Sequence, residues 1–202
     1  MINILSLIIG YLLGSINASI IISKLKGDDI RRHGSGNAGA TNTLRTYGKG
    51  VAALVTLFDV LKGILAVLIA RYILKSEEAA LCAGLGAVLG HNFPLYFGFK
   101  GGKGILTSFA VIIMISPLSA LCAFVVAIAL MALTRYVSLG SVMAAALVPI
   151  FSLIFEKGNG KVFALMLALG LLAIFRHRGN IVRLIKGTER KLGEKKEDLE
   201  AK

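Results

Sequence analysis

The stretch from Ile105 to Leu133, ILTSFAVIIMISPLSALCAFVVAIALMAL, decides how many times this chain crosses a membrane. A single helix of that length would be about 44 Å long, whereas a membrane-spanning helix needs only about 20 residues. Ser116 and Pro117 stand near the middle, and proline either kinks a helix or separates two shorter ones. The stretch is therefore either one overlong span or a hairpin of two helices.

The distribution of basic residues favours the hairpin. Five other apolar runs, each suited to one crossing, lie at about 3–23, 51–74, 79–97, 137–155 and 161–175. Lys and Arg accumulate in cytoplasmic loops, and the hairpin places 18 of them inside against four outside. A single long helix gives 10 against 12. We therefore predict an all-α integral membrane protein of seven transmembrane helices, with the N-terminus outside and the C-terminus cytoplasmic.

The composition agrees with a membrane protein. Of its 202 residues, 56% are hydrophobic, and 23 Lys and Arg stand against 11 Asp and Glu. Basic loops facing anionic lipid explain this excess, so we predict no nucleic-acid partner. Residues 1–190 are expected to form one membrane domain. Residues 191–202 are expected to be a disordered cytoplasmic tail, whose lysines are either solvated or in contact with anionic lipid.

The cysteines, histidines and carboxylates do not suggest a metal or another cofactor. Cys82 and Cys122 lie inside apolar runs, without the spacing of a zinc site. Carboxylates are scarce at the predicted cytoplasmic face, and the three histidines lack the spacing of metal ligands. We therefore predict no metal and no cofactor.

The first polar segment, GSGNAGATN from Gly34 to Asn42, suits an anion. It matches G-x-G-x-x-G, but a transmembrane helix precedes it instead of the strand that a dinucleotide site requires. Small residues with free backbone N–H groups can form a concave anion site, to which Ser35, Thr41 and Asn42 add side-chain donors. Taken alone, the segment fits better a turn that merely needs glycine, since glycines are common in turns.

The second polar segment, GHNFPLYFGFKGGKG from Gly90 to Gly104, places two lysines among glycines. It fails the Walker pattern, because Phe97 occupies the first glycine position and Gly104 the Ser/Thr position. Lys100 and Lys103 on a glycine-rich connection at a helix start nevertheless suit a phosphate group. Lysines that merely anchored the chain at the membrane surface would not need these glycines.

Two further polar segments fall on the same predicted face. RYVSLGS, residues 135–141, offers two serines, and RHRGNIVRLIKGTE, residues 176–189, offers His177 and Asn180. At spacing i, i+3 these last two share one face of a helix. Arg135 fits an anchor at the membrane interface, the serines fit helix packing, and the arginines fit contact with lipid. The residue types alone leave these alternatives open.

Asp59 and Lys62 are charged residues inside the second apolar run. A charge at the centre of a membrane helix costs about 2.5–3.5 kcal/mol on insertion scales, so such residues face protein or water and pair. The i, i+3 spacing allows this pair to form. We predict a structural ion pair beneath the site, with a catalytic dyad as the alternative.

In this order and spacing, the four polar segments resemble the bacterial acyl-phosphate:glycerol-3-phosphate acyltransferase family. The similarity runs from YLLGS in the first helix to Glu189. The resemblance implies transfer of a fatty acyl group from acyl phosphate to the sn-1 hydroxyl of glycerol 3-phosphate, giving lysophosphatidic acid and phosphate in phospholipid synthesis. It also implies a bacterial cytoplasmic membrane, with the active site on the cytoplasmic face and membrane lipids as surroundings.

The resemblance also indicates site residues. As catalytic residues it indicates Ser35, Lys103 and His177. As substrate-binding residues it indicates Gly34, Gly36, Asn37, Thr41, Asn42, Arg45, Lys100, Gly101, Gly102, Ser138, Ser141 and Asn180.

The acceptor of the proton from the attacking hydroxyl group stays open between two groups. A histidine is the usual general base, and His177 fits better than His91, which we expect to brace its helix against the glycine loop. The alternative is the departing phosphate, and we favour this substrate-assisted transfer. A different class of function, a transporter of phosphate or an organophosphate, would place basic residues near the membrane midplane in a repeated architecture, and no repeat is visible.

Overall fold

A computed structural model describes residues 1–194, and this part of the chain is helical without a β-strand. Its nine α-helices are α1 (Ile2–Ser15), α2 (Ala18–Leu25), α3 (Ala40–Leu68), α4 (Glu77–Asn92), α5 (Ile105–Ile115), α6 (Pro117–Thr134), α7 (Val137–Phe155), α8 (Gly160–Arg176) and α9 (Arg178–Ile185). Short 3₁₀ turns occupy Ile30–Arg32 and Leu95–Phe97, and one π-helical turn, Ile69–Ile73, continues α3.

The stretch from Ile105 to Leu133 is broken at Ser116. It forms two helices, α5 and α6, which pack against each other. Pro117 is the first residue of α6, a position where its missing N–H group leaves no hydrogen bond unmade. The Ser116 hydroxyl donates to Ser119 Oγ at 2.7 Å and fixes the turn. The alternative of a single overlong helix was therefore wrong.

The lengths of the helices indicate an all-helical membrane protein with five or six spans. Five helical segments are long and apolar enough to cross a membrane, and α8 with α9 adds a sixth if this pair, bent by 58°, counts as one. Helix α5 has 11 residues, or about 16 Å of helix, which is shorter than a usual span. Helix α3 begins at Ala40, but Gly48, with φ 83° and ψ −177°, is non-helical and separates a short polar helix from the apolar helix predicted at 51–74.

Helix α4 lies at the centre of the bundle and packs on α1, α3, α5 and α8. Its contact with α1 is close because glycines face backbone. A Cβ atom on Gly14 would overlap the carbonyl of Ala87, and one on Gly90 would overlap the carbonyl of Tyr11. Small residues allow helix backbones in membranes to approach in this way. This packing fixes the end of α4 that leads into the glycine-rich connection.

Asp59 and Lys62 of α3 form a buried ion pair, and the imidazole of His91 contacts both side chains. Lys62 Nζ lies 2.8 Å from Asp59 Oδ1 and 2.8 Å from His91 Nδ1, and it donates to the carbonyl of Ile16 at 3.1 Å. The three side chains are 2%, 7% and 3% exposed. This cluster therefore joins α3 to α4 and to the break between α1 and α2.

If the pair is structural, removing one charge should cost far more than removing both. Lys62→Met leaves a buried carboxylate without its cation, so we expect a loss of about 3–5 kcal/mol in stability. The double variant Asp59→Asn/Lys62→Met should recover most of it, as measured by thermal unfolding in detergent. A double variant that folds like the native chain but has lost its activity would contradict the structural role.

Candidate active site

A cavity of about 730 Å³ begins at the end of the bundle where the polar segments meet and extends between α5, α6, α7 and α8. Its outer end is polar and its inner end is apolar. The predicted site residues that line it are Gly34, Ser35, Asn37, Thr41, Asn42, Arg45, Lys103, Ser138, Ser141, His177 and Asn180. Four segments that are distant in sequence thus contribute to a single cavity.

A second cavity of about 520 Å³ adjoins the first and is strongly basic. It shares Ser35, Asn37, Lys103, Asn180 and Arg183 with the larger cavity. The other predicted site residues in its lining are Gly36, Lys100 and Gly101, and its further basic residues are Arg31, Arg176 and Arg178. Among residues 1–194, no carboxylate contributes to this lining. Anions are therefore attracted to this side of the site.

The loop before α3 is held in place by Asn42. This side chain is buried, and its Oδ1 accepts a hydrogen bond from the backbone N–H of Ser35 at 2.9 Å. Its Nδ2 donates to the carbonyls of Ile30 and His33 at 3.2 and 3.0 Å. Gly34 has φ +57°, and a Cβ atom there would overlap the Asn42 amide. The amide thus holds the loop backbone and presents Ser35 to the cavity.

The glycine-rich connection is held from two sides next to Lys103. The backbone N–H of Gly102 donates to the carbonyl of His91 at 3.1 Å, and a Cβ atom on Gly102 would overlap the His91 ring. On the other side, Arg176 Nη2 donates to the Gly102 carbonyl at 2.8 Å and its guanidinium stacks on Phe93 at 5.0 Å. Gly102, which lines neither cavity, fixes the backbone from which Lys103 projects.

Lys103 is joined to a carboxylate through Asn180. Lys103 Nζ donates to Asn180 Oδ1, and Asn180 Nδ2 donates to Glu189 Oε1 at 2.6 Å. The same carboxylate oxygen accepts from the Ser138 hydroxyl at 2.8 Å, and Arg183 Nε donates to Glu189 Oε2 at 2.7 Å. This network ties the start of α5 to α7, to α9 and to the segment after α9.

Glu189, Arg183 and Arg176 are residues of the site that sequence reasoning did not include among its site residues. Burial alone would raise the pKa of Glu189, but hydrogen bonds from Asn180, Ser138 and Arg183 lower it below its usual value. The carboxylate is therefore ionised and paired. The sequence did contain a signal for this residue, because Glu189 is the one acidic residue in the basic segment 176–191.

Lys103 carries a positive charge that the surrounding protein does not fully balance. Burial lowers its pKa to about 8; Glu189 opposes this shift, and the cations of Arg183, Arg45 and Arg176 reinforce it. The two carboxylates in the lining of the large cavity, Asp59 and Glu189, are paired with Lys62 and Arg183. The polar end of the cavity therefore has a surplus of positive charge, which suits a multiply charged anion.

His177 lies at the bend between α8 and α9 and is 3% exposed. Its Nδ1 lies 2.8 Å from the carbonyl of Ala173. Because a carbonyl oxygen can only accept, Nδ1 carries the hydrogen in this contact, and in the neutral ring Nε2 is then an acceptor. In a cavity otherwise rich in donors, His177 can therefore receive a hydrogen bond from a hydroxyl group.

Arg135 holds the segment that follows the site. The backbone N–H of Leu192 donates to the Arg135 carbonyl at 2.8 Å, and Arg135 Nη2 donates to the Leu192 carbonyl at 2.8 Å. The tail predicted at 191–202 is thus tied down at Leu192, while residues 195–202 lie outside the described part of the chain. Within residues 1–194, no three His, Cys, Asp or Glu side chains are grouped to hold a metal ion.

Comparison with known proteins identifies relatives along nearly the whole chain. Residues 4–187 match the family model described as glycerol-3-phosphate acyltransferase. The glycerol-3-phosphate acyltransferase 1 of Deinococcus radiodurans is 50% identical over 193 residues, covering 95% of this chain and 96% of that protein. The glycerol-3-phosphate acyltransferase of Halalkalibacterium halodurans is 47% identical over 198 residues, covering 95% and 96%.

Two crystal structures have the same fold. Both are of PlsY, an integral membrane glycerol 3-phosphate acyltransferase. The glycerol 3-phosphate form is 42% identical with a TM-score of 0.87, covering 95% of this chain and 96% of that one. The lysophosphatidic acid form is 41% identical with a TM-score of 0.83, covering 95% of each chain. With a family model that spans residues 4–187 and relatives this similar over their whole length, the chain belongs to the glycerol-3-phosphate acyltransferase family.

Proposed function

We propose that this protein transfers a fatty acyl group from acyl phosphate to the sn-1 hydroxyl of glycerol 3-phosphate, producing lysophosphatidic acid and phosphate. The observation that carries the proposal is the large cavity, which joins a cationic end to an apolar end in one continuous space. Both the donor and the product combine an anionic phosphate group with an acyl chain. The glycerol 3-phosphate and lysophosphatidic acid forms of the related crystal structures support the acceptor and the product.

We assign seven membrane crossings to the chain, with α5 as a short crossing paired to α6. The break at Ser116 makes this count possible, and the distribution of basic residues favours it, with the polar end of the cavity at the cytoplasmic face of a bacterial inner membrane. In this orientation glycerol 3-phosphate, which is soluble in water, enters from the cytoplasm. Acyl phosphate, which is lipid-like, reaches the same cavity from the bilayer.

In this proposal, the cationic side chains of the cavity bind the phosphate groups of the two substrates. Lys103 and Arg45 line the polar end, and neither is ion-paired with a carboxylate within residues 1–194. Charged donors of this kind bind phosphate and neutralise the charge that grows on a departing phosphate. The hydroxyls of Ser35 and Ser141 add neutral donors around the same space. The residues therefore bind and orient two anionic substrates without a covalent enzyme intermediate.

The chemical step in this proposal is a direct acyl transfer. The hydroxyl oxygen of glycerol 3-phosphate attacks the carbonyl carbon of acyl phosphate and forms a new C–O bond. The bond between that carbon and the phosphate oxygen then breaks, and the phosphate leaves with the bonding electron pair. The hydroxyl proton passes to a phosphate oxygen. Nε2 of His177 accepts a hydrogen bond from the hydroxyl and aims its oxygen, without holding the proton afterwards.

The reaction is tested by phosphate release from purified protein in detergent. Release should require acyl phosphate and glycerol 3-phosphate together, and should be matched by lysophosphatidic acid detected by mass spectrometry. An acyl-thioester offered as donor is the control for the donor class, and Lys103→Ala controls for background hydrolysis. Uptake of phosphate or glycerol 3-phosphate into liposomes without turnover would support a transporter instead, an alternative that the comparisons do not support.

The role of His177 is tested by its alanine variant. If the departing phosphate takes the proton, the His177→Ala variant should lose only the orientation of the attacking hydroxyl group. We therefore expect kcat to fall by about 10- to 100-fold. Loss of a general base costs up to about 10⁴-fold. A fall of that size in His177→Ala, with binding of glycerol 3-phosphate unchanged in titration calorimetry, would show that the imidazole accepts the proton.

The pKa of Lys103 predicts how substrate binding depends on pH. With a pKa of about 8 in the empty site, Lys103 loses its charge as pH rises through 8, whereas a bound phosphate favours the charged form. Binding above pH 8 therefore requires proton uptake, and the KM for glycerol 3-phosphate should rise by up to about tenfold per pH unit.

Lys103→Arg provides the matched control for this pH profile. Arginine keeps its charge throughout this range, so the KM of the variant should stay nearly flat between pH 7.5 and 9.5. The comparison uses steady-state KM values for both proteins with acyl phosphate held at saturation. An equally steep rise in the arginine variant would show that a group other than Lys103 controls the profile.

A further inference from the structure

The apolar lining residues of the large cavity that lie farthest from the polar network are buried, and we propose that they form a closed end that sets the longest acyl chain that the protein accepts. This inference rests on the proposed function, because it assigns the apolar end to the acyl chain. The closed end is formed by one residue from each of four helices: Ile112 of α5, Ala120 of α6, Val148 of α7 and Leu169 of α8. We call these four residues the cavity floor.

The cavity floor is part of the hydrophobic core. Its four residues are between 1% and 6% exposed, and all belong to the main cluster of buried apolar side chains. Protein interiors are close-packed, so a chain that reaches the floor cannot extend further without displacing packed side chains. The methyl end of an acyl chain therefore stops at a fixed depth.

The register of the helices gives this depth. On α7, Ser138 belongs to the polar network and Val148 to the floor, and they are ten residues or about 15 Å of helix apart. On α6, which runs the opposite way, Met131 near the outer end and Ala120 at the floor are about 16 Å apart. With C–C bonds of about 1.5 Å, an extended chain advances about 1.25 Å per methylene. The cavity thus holds about 12 methylenes below the polar network.

Length selection in such a cavity is steric. An acyl chain in the bilayer is already in apolar surroundings, so its transfer into the cavity brings little hydrophobic gain. A chain longer than the cavity must either bend or push the floor apart, and overpacking a well-packed interior is unfavourable. We therefore expect a sharp upper limit of chain length, with about a tenfold or larger fall in rate beyond it.

One face of α6 allows this limit to be moved in steps. Ala120, Ala123 and Ala127 all line the cavity and are buried, at 1%, 3% and 6% exposure. Ala127 lies seven residues, or about 10 Å, closer to the polar end than Ala120, which corresponds to about eight methylenes. A larger side chain at each position should block the cavity at a different depth. Val125, on the opposite side of the same helix, is 58% exposed and does not line the cavity.

The experiment uses the full-length protein in detergent with an equimolar mixture of acyl phosphates from 8 to 18 carbons, and mass spectrometry of the lysophosphatidic acids formed. In Ala120→Leu the ratio of 14-carbon to 10-carbon product should fall about tenfold or more. Ala127→Leu should shift the preferred chain further, by up to about eight carbons. Val148→Ala enlarges the cavity at its floor and should shift the products towards longer acyl chains. Val125→Leu is the matched control and should keep the native profile.

Two outcomes separate failure of this inference from failure of the proposed function. If the native protein makes lysophosphatidic acid but Ala120→Leu and Ala127→Leu keep its length profile, the chain leaves the cavity sideways, past Phe124 and Ile128, which line it and are 44% and 46% exposed. That result overturns the inference alone. If the native protein uses no acyl phosphate of any length, the proposed function fails. Should the leucine variants not fold, Val148→Ala decides, since an unchanged profile there also overturns the inference.

Discussion

The site depends on a buried ammonium group that the protein itself leaves incompletely balanced. Within residues 1–194, Lys103 Nζ has one hydrogen-bond partner, the neutral amide oxygen of Asn180, and the carboxylate of Glu189 stands behind that amide. Burying a cation is costly unless it is paired, and nearby arginines add repulsion. An anion with several oxygens relieves both costs at once. The cost of burying the Lys103 charge in the empty site therefore favours the binding of phosphate. The loops around Lys103 hold its side chain in position for this ligand.

Irregular backbone near a membrane is tolerated only where it lines a cavity or is satisfied by protein groups. The glycine-rich connection meets this condition through the His91 carbonyl and the Arg176 guanidinium, and the loop before α3 meets it through the Asn42 amide. The buried pair of Asp59 and Lys62 in turn holds the His91 ring from below. The buried ion pair of α3 therefore supports the glycine-rich connection from which Lys103 projects. This explains why ionised groups lie so deep in an apolar helix.

Much of this arrangement could be predicted from the sequence, because its signals are local. A proline in an overlong apolar run marks a helix break, and four polar segments in a fixed order indicate both the family and the residues that share the cavity. The short polar helix that begins at Ala40 was not predicted, since apolar runs report lipid-facing length, whereas the apolar helix after the break at Gly48 agrees with the run at 51–74. The inward-facing amide of Asn42 and the central position of Glu189 depend on partners 6 to 51 residues away in sequence, which no local pattern encodes. The number of crossings is not fixed by length and composition, because α5 is too short to be counted by these criteria.

The two ends of the cavity impose opposite demands on product release. A surplus of positive charge that captures anionic substrates also retains anionic products, and both proposed products carry phosphate. Arginine cannot lose its proton in a protein, so Arg45 contributes a fixed charge. Lys103 differs, because a pKa of about 8 allows it to give up its proton near neutral pH at small cost when the anion departs. At the other end, apolar walls hold the acyl chain no more strongly than lipid does, so the chain does not delay release. The time for which the product stays bound then depends mainly on the cationic end of the cavity. Lys103 is the group at this end whose charge can change.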